Sequence, residues 1–186
     1  MNVLAVAGSL RTASINAAFC RAAARLAPAG LEITVFHGLG DLPHYNPDLE
    51  DRPPAGVANL RTAVVRADAL LIASPEYAHG VSGVMKNALD WLVGFEEFVN
   101  KPVAVVNTSA RAYHAYDALL ETLRTMSATI VTEASVTIPL LGAVVTEEAI
   151  LASPTVSSQV RRALISRGSI LDRDGVAGPS FPVGSR

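Results

Sequence analysis

The chain has 186 residues, half of them hydrophobic, which is enough for one α/β domain with a substantial core. Its formal net charge is −2, so neither nucleic acid nor an acidic membrane surface is an expected partner. The single cysteine, Cys20, excludes an internal disulfide framework and is expected to be a small buried hydrophobe. The apolar runs are too short to span a bilayer and no secretory leader is evident, so we expect a cytoplasmic protein.

Buried-looking apolar runs predict five strands, at residues 2–7, 31–36, 69–73, 103–107 and 134–138. Helical patterns fall between and after them, at residues 15–26, 57–67, 83–93, 115–126 and 158–167. Continuous hydrophobic strands, each followed by a helix, indicate a parallel sheet covered on both faces. We therefore predict an α/β fold, a flavodoxin-like three-layer sandwich with a five-stranded parallel sheet in the order 2-1-3-4-5. Residues 1–170 would form this domain and residues 171–186 a Gly/Pro-rich tail.

The first strand runs into a segment that is typical of a phosphate-binding loop. Ser14 is a good N-cap for the helix that follows, and the unpaired N–H groups and positive end of that helix favour an anion. Arg11 adds a full charge and a planar fork of donors, while Ser9 and Asn16 add neutral donors. The residues alone leave open an ordinary turn between strand and helix with a capping serine.

Two common nucleotide motifs are missing from this loop. A P-loop would need a longer glycine-rich segment ending in Lys-Ser or Lys-Thr, where the chain has Arg11-Thr12. The dinucleotide fingerprint would need three spaced glycines, but Gly8 stands alone, and no acidic residue ends the second strand. What remains is the shorter cradle that flavodoxin-like proteins use for the terminal phosphate of FMN.

The predicted topology places a ligand site at the carboxyl ends of the strands, between the first and third. The loop after the third strand, residues 74–83, is rich in turn formers and polar groups and forms the second wall. The loop after the fourth strand, residues 108–114, forms the third. The four histidines lie on different loops without metal-ligand spacing, so we predict no metal site. His79 and His114 are better candidates for contact with a substrate.

Three blocks of sequence carry a family resemblance. The first is Gly8-Ser9-Leu10-Arg11 with the serine and asparagine that follow it; the second is Pro75-Glu76-Tyr77; the third is G-V-M-K-N-A-L-D-W at residues 83–91. The chain resembles the NADPH-dependent FMN reductase family, which includes chromate, quinone and azo-compound reductases. The last two blocks are close to the family pattern P-E-Y-N followed by P-G-x-L-K-N-A-x-D-W.

The resemblance implies an FMN site and assigns its parts. The first loop would hold the phosphate, the second would line the isoalloxazine largely through backbone groups, and the third would face its pyrimidine end or the nicotinamide. The cofactor-binding residues implied in this way are Ser9, Arg11, Ser14, Ile15, Asn16, Pro75, Glu76, Tyr77, Ala78, Ser109, Ala110 and Arg111. The helix after the third strand would be fixed by Lys86, Asn87, Asp90 and Trp91. Apolar residues 91–98 would pack a homodimer or homotetramer.

The chain also departs from the family pattern at two places. Ala78 stands where relatives have Asn and Ser82 where they have Pro, so we expect a looser second loop. Many relatives carry Ser-x-Gly-x-x-Gly-Gly after the fourth strand, where this chain has Arg111, His114 and Ala115 at the glycine positions. Glycine would let the backbone approach the flavin closely at these positions. We expect the side chains of this chain to occupy that space instead.

The implied activity is that of an FMN-dependent NAD(P)H oxidoreductase. Hydride would pass from NADPH or NADH to the flavin in a ping-pong cycle and on to a small acceptor such as a quinone, free flavin, azo compound or metal oxyanion. We predict no catalytic side chain, because the flavin carries the chemistry. The alternative is a flavodoxin-type electron carrier, which the nearly neutral charge and Arg11 disfavour. A flavin-free structural relative is the third possibility.

Overall fold

Strands and helices alternate along the part of the chain that the structure, a computed structural model, describes: residues 1–140, 142 and 144–165. The strands are β1 (Asn2–Ala7), β2 (Glu32–Phe36), β3 (Ala69–Ala73), β4 (Glu76–Tyr77), β5 (Gly80–Val81), β6 (Pro102–Val105) and β7 (Thr129–Ile130). The helices are α1 (Ile15–Leu26), α2 (Ala55–Arg66), α3 (Gly83–Asp90), α4 (Tyr113–Thr125), α5 (Glu147–Ala152) and α6 (Pro154–Ile165).

Five of the strands form one parallel sheet in the order β2-β1-β3-β6-β7. Since β4 and β5 form a separate hairpin, this is the predicted order 2-1-3-4-5, and the flavodoxin-like fold is confirmed. Alternate residues of β1 serve the two faces of the sheet. Val3 and Ala5 pack with α1, α5 and α6, whereas Leu4 and Val6 pack with α2, α3 and α4. The strands read as continuous apolar runs because both faces are covered.

The edge of the sheet differs from the prediction. The fifth strand was expected at residues 134–138, but β7 ends earlier and a short 3-10 turn follows it. Ser135 fills the interruption, since its hydroxyl accepts a hydrogen bond from the backbone N–H of Val105 at 3.1 Å. Pairing then resumes at Asn107, which forms an isolated parallel bridge with Thr137. The Ser135 side chain thus takes the place of a backbone acceptor in the hydrogen bonding of the sheet edge. The apolar pattern of the sequence does not reveal this substitution.

The helices follow the predicted pattern with two differences. α1 has the predicted bounds, and α2 to α4 agree to within three residues at each end. The short helix α5 was not predicted. α6 begins at Pro154 rather than Ser158, because a proline is accommodated in the first turn of a helix. The predicted helix end at residue 167 and the predicted tail, residues 171–186, lie outside the described residues.

The apolar segment predicted as a subunit interface is mostly core of the single chain. Trp91, Leu92 and Phe98 are buried, while Val93 is 60% exposed. The indole N–H of Trp91 donates to the Pro43 carbonyl at 2.8 Å. The expectation of an apolar surface patch at residues 91–98 was therefore wrong. Large hydrophobic residues next to a helix that packs on the sheet are usually buried in the core of their own chain.

The third matching block of sequence has a structural role. Asn87 accepts a hydrogen bond from the Tyr45 backbone N–H at 2.8 Å and donates one to the Pro43 carbonyl at 2.9 Å. Trp91, one turn further along the chain, binds the same carbonyl. These side chains fix the connection between β2 and α2 against the end of α3. Lys86 and Asp90 form an ion pair on the surface of α3.

Cys20 is fully buried in α1, and burial raises the pKa of its thiol to about 12. It is packed as a hydrophobe. In the described part of the chain no helix is long and apolar enough to cross a bilayer. The same residues contain no group of three or more side chains with metal-ligating chemistry placed to hold an ion.

The hairpin of β4 and β5 is tied by a two-residue turn with an unusual backbone. Glu76 pairs with Val81 and Tyr77 with Gly80. Between them Ala78 and His79 both have positive φ, at 50° and 61°. Two left-handed residues are the signature of the turn that best matches strand twist, for which asparagine and glycine are preferred. Alanine is disfavoured in this conformation because its Cβ crowds the backbone.

We expect Ala78→Asn to stabilise the protein by about 0.5–1 kcal/mol and to raise the Tm by about 2–3 °C, because asparagine tolerates the left-handed conformation. Thermal unfolding measures the change. Ala29→Asn is the matched control, since Ala29 is exposed in a loop and its φ is not positive. Equal Tm shifts for the two variants would contradict the role given to the turn.

Candidate functional site

An open cleft of about 400 Å³ lies at the carboxyl ends of β1, β3 and β6. This is the edge of the sheet at which the strand order reverses, where the topology predicts a ligand. Three segments form its walls: the start of α1, the hairpin and the loop before α4. The lining residues are Ile15, Asn16, Ser74, Pro75, Glu76, Asn107, Thr108, Ser109, Arg111, Ala112 and Leu140.

The first and second walls approach each other closely at Gly8. A Cβ placed on Gly8 would overlap the side chain of Ser74 and meet the Ser82 hydroxyl at 3.0 Å. The Gly8 N–H donates to the Ala73 carbonyl at 2.8 Å, and the Gly8 carbonyl accepts from the Ser82 hydroxyl at 2.7 Å. Only glycine fits between the ends of β1 and β3.

Ser82 joins these walls, so the expectation of a looser second loop was wrong at this position. Its side chain is buried, and its hydroxyl also accepts from the Met85 N–H at the start of α3. A proline has no hydroxyl, so it could neither cap the helix nor donate a hydrogen bond to the Gly8 carbonyl. The serine therefore replaces the rigidity of a proline with two hydrogen bonds.

The start of α1 presents donors toward the cleft. Ser14 caps the helix by accepting from the Ala17 N–H at 3.2 Å. The N–H groups of Ile15 and Asn16 have no acceptor among the described residues, and the first turn holds no acidic residue. Arg11 is exposed beside them, and its guanidinium makes no ion pair within the described part of the chain. Together they form a positive, donor-rich end, which suits a phosphate.

A buried hydrogen bond joins α1 to the third wall. The Thr108 hydroxyl donates to Asn16 Oδ1 at 2.9 Å, and both residues are 6% exposed. Because the carbonyl oxygen of Asn16 is occupied, its amide nitrogen is the group left to donate into the cleft. The bond fixes the distance between the phosphate loop and the loop that follows β6.

Asn107 shapes the loop of the third wall. Its Oδ1 accepts from the Ser109 N–H at 3.0 Å, and its Nδ2 donates to the Ala112 carbonyl at 3.3 Å. The Ser109 hydroxyl in turn accepts from the Arg111 N–H at 3.3 Å. Side chains thus hold the loop in a tight turn that relatives build with glycine.

Glu76 connects the hairpin to α4. Its Oε2 accepts from the Ala115 N–H at 2.9 Å. The residue at the N-cap of α4, Ala112, makes no side-chain capping bond, so the carboxylate from the hairpin takes that role. The side chain of Glu76 points to the helix, and its backbone is left to line the cleft.

The structure brings together six of the twelve predicted residues as cleft lining: Ile15, Asn16, Pro75, Glu76, Ser109 and Arg111. The other six lie on the same three loops but outside that lining: Ser9, Arg11, Ser14, Tyr77, Ala78 and Ala110. Of the three side chains at glycine positions of the family pattern, Arg111 alone is among the lining residues of the cleft. His114 stacks on His79, and the Ala115 N–H is bound by Glu76.

Sequence reasoning missed two lining residues, Asn107 and Leu140. Ser74, Thr108 and Ala112 lay within the predicted walls but were not among the predicted cofactor-binding residues. Polar residues directly after the buried run of β6 were a usable signal for Asn107 and Thr108. Leu140 reaches the cleft from beyond the sheet edge, where its N–H donates to the Thr108 carbonyl at 3.0 Å. No local pattern marks such a residue.

Comparison with known proteins decides the family. The model of the NADPH-dependent FMN reductase family matches residues 1–140, which include all three walls of the cleft. The chain belongs to this family.

Individual relatives agree with the family. The chain is 39% identical over 121 residues to a quinone reductase of Pseudomonas putida, covering 63% of this chain and 64% of that protein. It is 40% identical over 114 residues to an NAD(P)H-dependent FMN reductase of Pseudomonas aeruginosa, covering 59% of this chain and 60% of that one. The matches thus span about three fifths of the length of these relatives.

A solved structure extends the likeness to the fold. FerB, a flavoenzyme NAD(P)H:(acceptor) oxidoreductase from Paracoccus denitrificans, superimposes with a TM-score of 0.64 at 29% identity. The superposition covers 92% of this chain and 86% of FerB. The likeness to FerB therefore extends over the fold that carries the cleft.

We expect Glu76→Ala to destabilise the flavin-free protein by about 1–2 kcal/mol, because the N-terminus of α4 loses its capping carboxylate. Glu76→Gln retains an acceptor and should cost about half as much. Urea unfolding gives both values.

Glu121→Ala is the control for these variants. Glu121 is a 75% exposed glutamate on the same helix, 3.9 Å from Arg124, and its loss should cost under about 0.5 kcal/mol. The capping role is refuted if Glu76→Ala and Glu121→Ala unfold at the same urea concentration.

Proposed function

We propose that this protein is an FMN-dependent NAD(P)H oxidoreductase that reduces small acceptors such as quinones. The observation that carries the proposal is the start of α1. The backbone N–H groups of Ile15 and Asn16, which have no acceptor among the described residues, lie at one end of a cleft that opens along the sheet edge. Arg11 is exposed on the loop that leads into α1. Membership of the FMN reductase family supplies the identity of the phosphate ligand.

The residues present fit FMN. The phosphate would be held by the N–H groups of Ile15 and Asn16, by Arg11 and by the hydroxyl of Ser9. Ser14 would contribute by fixing the helix start rather than by donating, since its hydroxyl already accepts from Ala17. A phosphate dianion at this place would be stabilised by the dipole of α1, by the positive charge of Arg11 and by hydrogen bonds from the N–H and hydroxyl groups.

The flavin ring would lie between the second and third walls. Pro75 and the backbone of Glu76, Tyr77 and Ala78 would line one side, and Ser109, Ala110 and Arg111 the pyrimidine end. Bound FMN supplies two-electron chemistry, taking hydride from a nicotinamide and passing electrons to an acceptor. The chain's own residues orient the ring and leave one face open, and no general acid or base is required of them.

Two further features belong to the proposal. We infer a homodimer or homotetramer, supported by exposed apolar side chains outside the lining of the cleft, which include Leu10, Val65 and Val93 at 52–60% exposure. We place the reaction in the cytoplasm, because that is where a nicotinamide co-substrate is available.

Arg11→Ala should weaken FMN binding about 10- to 100-fold, the usual value of hydrogen bonds to a charged group. The matched ligand is riboflavin, which lacks the phosphate. Titrations of the apoprotein, followed by quenching of flavin fluorescence, should show an unchanged Kd for riboflavin.

Arg66→Ala is the control variant, since Arg66 is an exposed arginine at the end of α2 and does not line the cleft. It should bind both flavins as the natural chain does. An equal loss of FMN and riboflavin affinity in Arg11→Ala would remove the phosphate role from Arg11.

The activity itself is tested with the purified protein and added FMN. NADPH should bleach the flavin absorption, and menadione should restore it. Initial rates at several NADPH and menadione concentrations should give parallel double-reciprocal lines, as a ping-pong cycle requires.

Two outcomes would contradict this function in different ways. A protein that takes up no FMN would be a structural relative without flavin. Bound FMN that dithionite reduces and menadione reoxidises, but that NADPH leaves oxidised, would identify an electron carrier.

A further inference from the structure

Three aromatic rings form a ladder where the hairpin meets the start of α4. The His79 and His114 rings are stacked, with centroids 4.2 Å apart and an interplanar angle of 23°. Tyr113 lies 4.1 Å from His114 at 36°. Within the described residues no ring contact joins Tyr113 to His79, so His114 is the ring that both of them contact. We call these three side chains the ring ladder.

The ring ladder is carried by two segments that line the cleft, and its three rings lie outside that lining. His79 lies in the turn of the hairpin whose Glu76 lines the cleft, and Tyr113 directly follows Ala112, another lining residue. The Glu76 carboxylate holds the hairpin to α4 through the Ala115 N–H. Both supports of the ladder are thus fixed to each other, which gives the rings a defined position beside the cleft.

The ring ladder is built on a departure from the family pattern. His114 occupies a position at which relatives carry glycine, and it is the central ring. Without it neither His79 nor Tyr113 would have a stacking partner among the described residues. The ladder therefore depends on a residue by which this chain departs from the family pattern.

The outer rings are left accessible. Tyr113 is 58% exposed, and Tyr77 on the same hairpin is also 58% exposed. Aromatic residues make up only 5% of the chain, and two of its four tyrosines stand at this cleft with most of their surface in water. Large exposed aromatic surfaces at the rim of a cleft are typical of binding sites.

We propose that the ring ladder binds the electron acceptor and selects planar aromatic acceptors, such as naphthoquinones, over inorganic ones. A planar aromatic acceptor can stack on the Tyr113 ring and so extend the ladder. An inorganic metal complex has no planar aromatic face with which to stack. This inference rests on the proposed function for its acceptor and on the ring geometry for its selectivity.

The test compares two acceptors with NADPH as donor: menadione, which is planar and aromatic, and ferricyanide, which is not. Tyr113→Leu should lower the ratio of kcat/KM for menadione to that for ferricyanide about tenfold, chiefly through the KM for menadione. Tyr113→Phe keeps the ring and should restore the ratio to within about twofold of the natural chain. His114→Ala removes the central ring and should lower the ratio as Tyr113→Leu does.

An equilibrium measurement separates this inference from the proposed function. Menadione is added to the oxidised protein without NADPH, and the ring protons of His79 and His114 are followed by NMR. They should shift in the natural chain and in Tyr113→Phe but not in Tyr113→Leu. This result would support the ladder even in a protein that oxidises no NADPH.

Three outcomes would overturn the inference. The first is an unchanged acceptor ratio in Tyr113→Leu together with unchanged menadione-induced shifts. The second is an equal loss of activity toward both acceptors, which would show that the ladder only supports the fold. The third is dissociation of an oligomer by Tyr113→Leu in sedimentation experiments, which would make the rings a contact between copies of the chain.

Discussion

The close approach of β1 and β3 at Gly8 is the constraint on which the site depends. Neighbouring parallel strands lie about 4.8 Å apart, so two loops leave the same edge with little room between them. The absence of a side chain at Gly8 lets the first loop pass against Ser74, and the Ser82 hydroxyl then binds the Gly8 carbonyl. One loop therefore turns into α1 while the other rises as the hairpin. The cleft is the space that this divergence opens.

The helices α1 and α4 both begin at this cleft, and their positively charged ends have different surroundings. The start of α4 is bound by the carboxylate of Glu76, which neutralises it. The first turn of α1 has no acidic residue, and two of its N–H groups have no acceptor in the part of the chain that the structure describes. Arg11 is exposed on the loop before it. An anion entering the cleft therefore has one favourable end. This asymmetry is sufficient to orient a ligand that carries a phosphate on one side and a flat ring on the other.

The sequence was a good guide wherever structure depends on local pattern. The bounds of α1 and the capping by Ser14 followed from a strand, a cap and an apolar helical period. The five-strand order followed from continuous apolar runs that alternate with helices. The family blocks placed the three loops, and half of the predicted contacts line the cleft.

The errors arose where a side chain replaces backbone or where distant segments meet. Ser135 completes the sheet edge with its hydroxyl, which moved the last strand away from the apolar run that predicted it. The bond between Thr108 and Asn16 spans 92 positions of sequence, and nothing local announces it. The segment at residues 91–98 has the composition of an interface, yet Trp91 and Phe98 are used by the core of the same chain. Composition indicates how much apolar surface must be buried, but it does not show whether the same chain or a second subunit buries it.

The departures from the family pattern fall on the second and third walls of the cleft, and the structure explains how the fold tolerates them. Ser82 replaces a proline and restores the join to Gly8 through hydrogen bonds. His114 replaces a glycine and stacks its ring on His79. Neither change falls on the start of α1, and His114 adds aromatic surface where α4 begins. A cofactor carries the reactive atoms in such a protein, and the side chains around it are left to determine which molecules reach them. In this chain that determination falls on the hairpin and the first turn of α4, because they are the exposed elements that the core does not constrain.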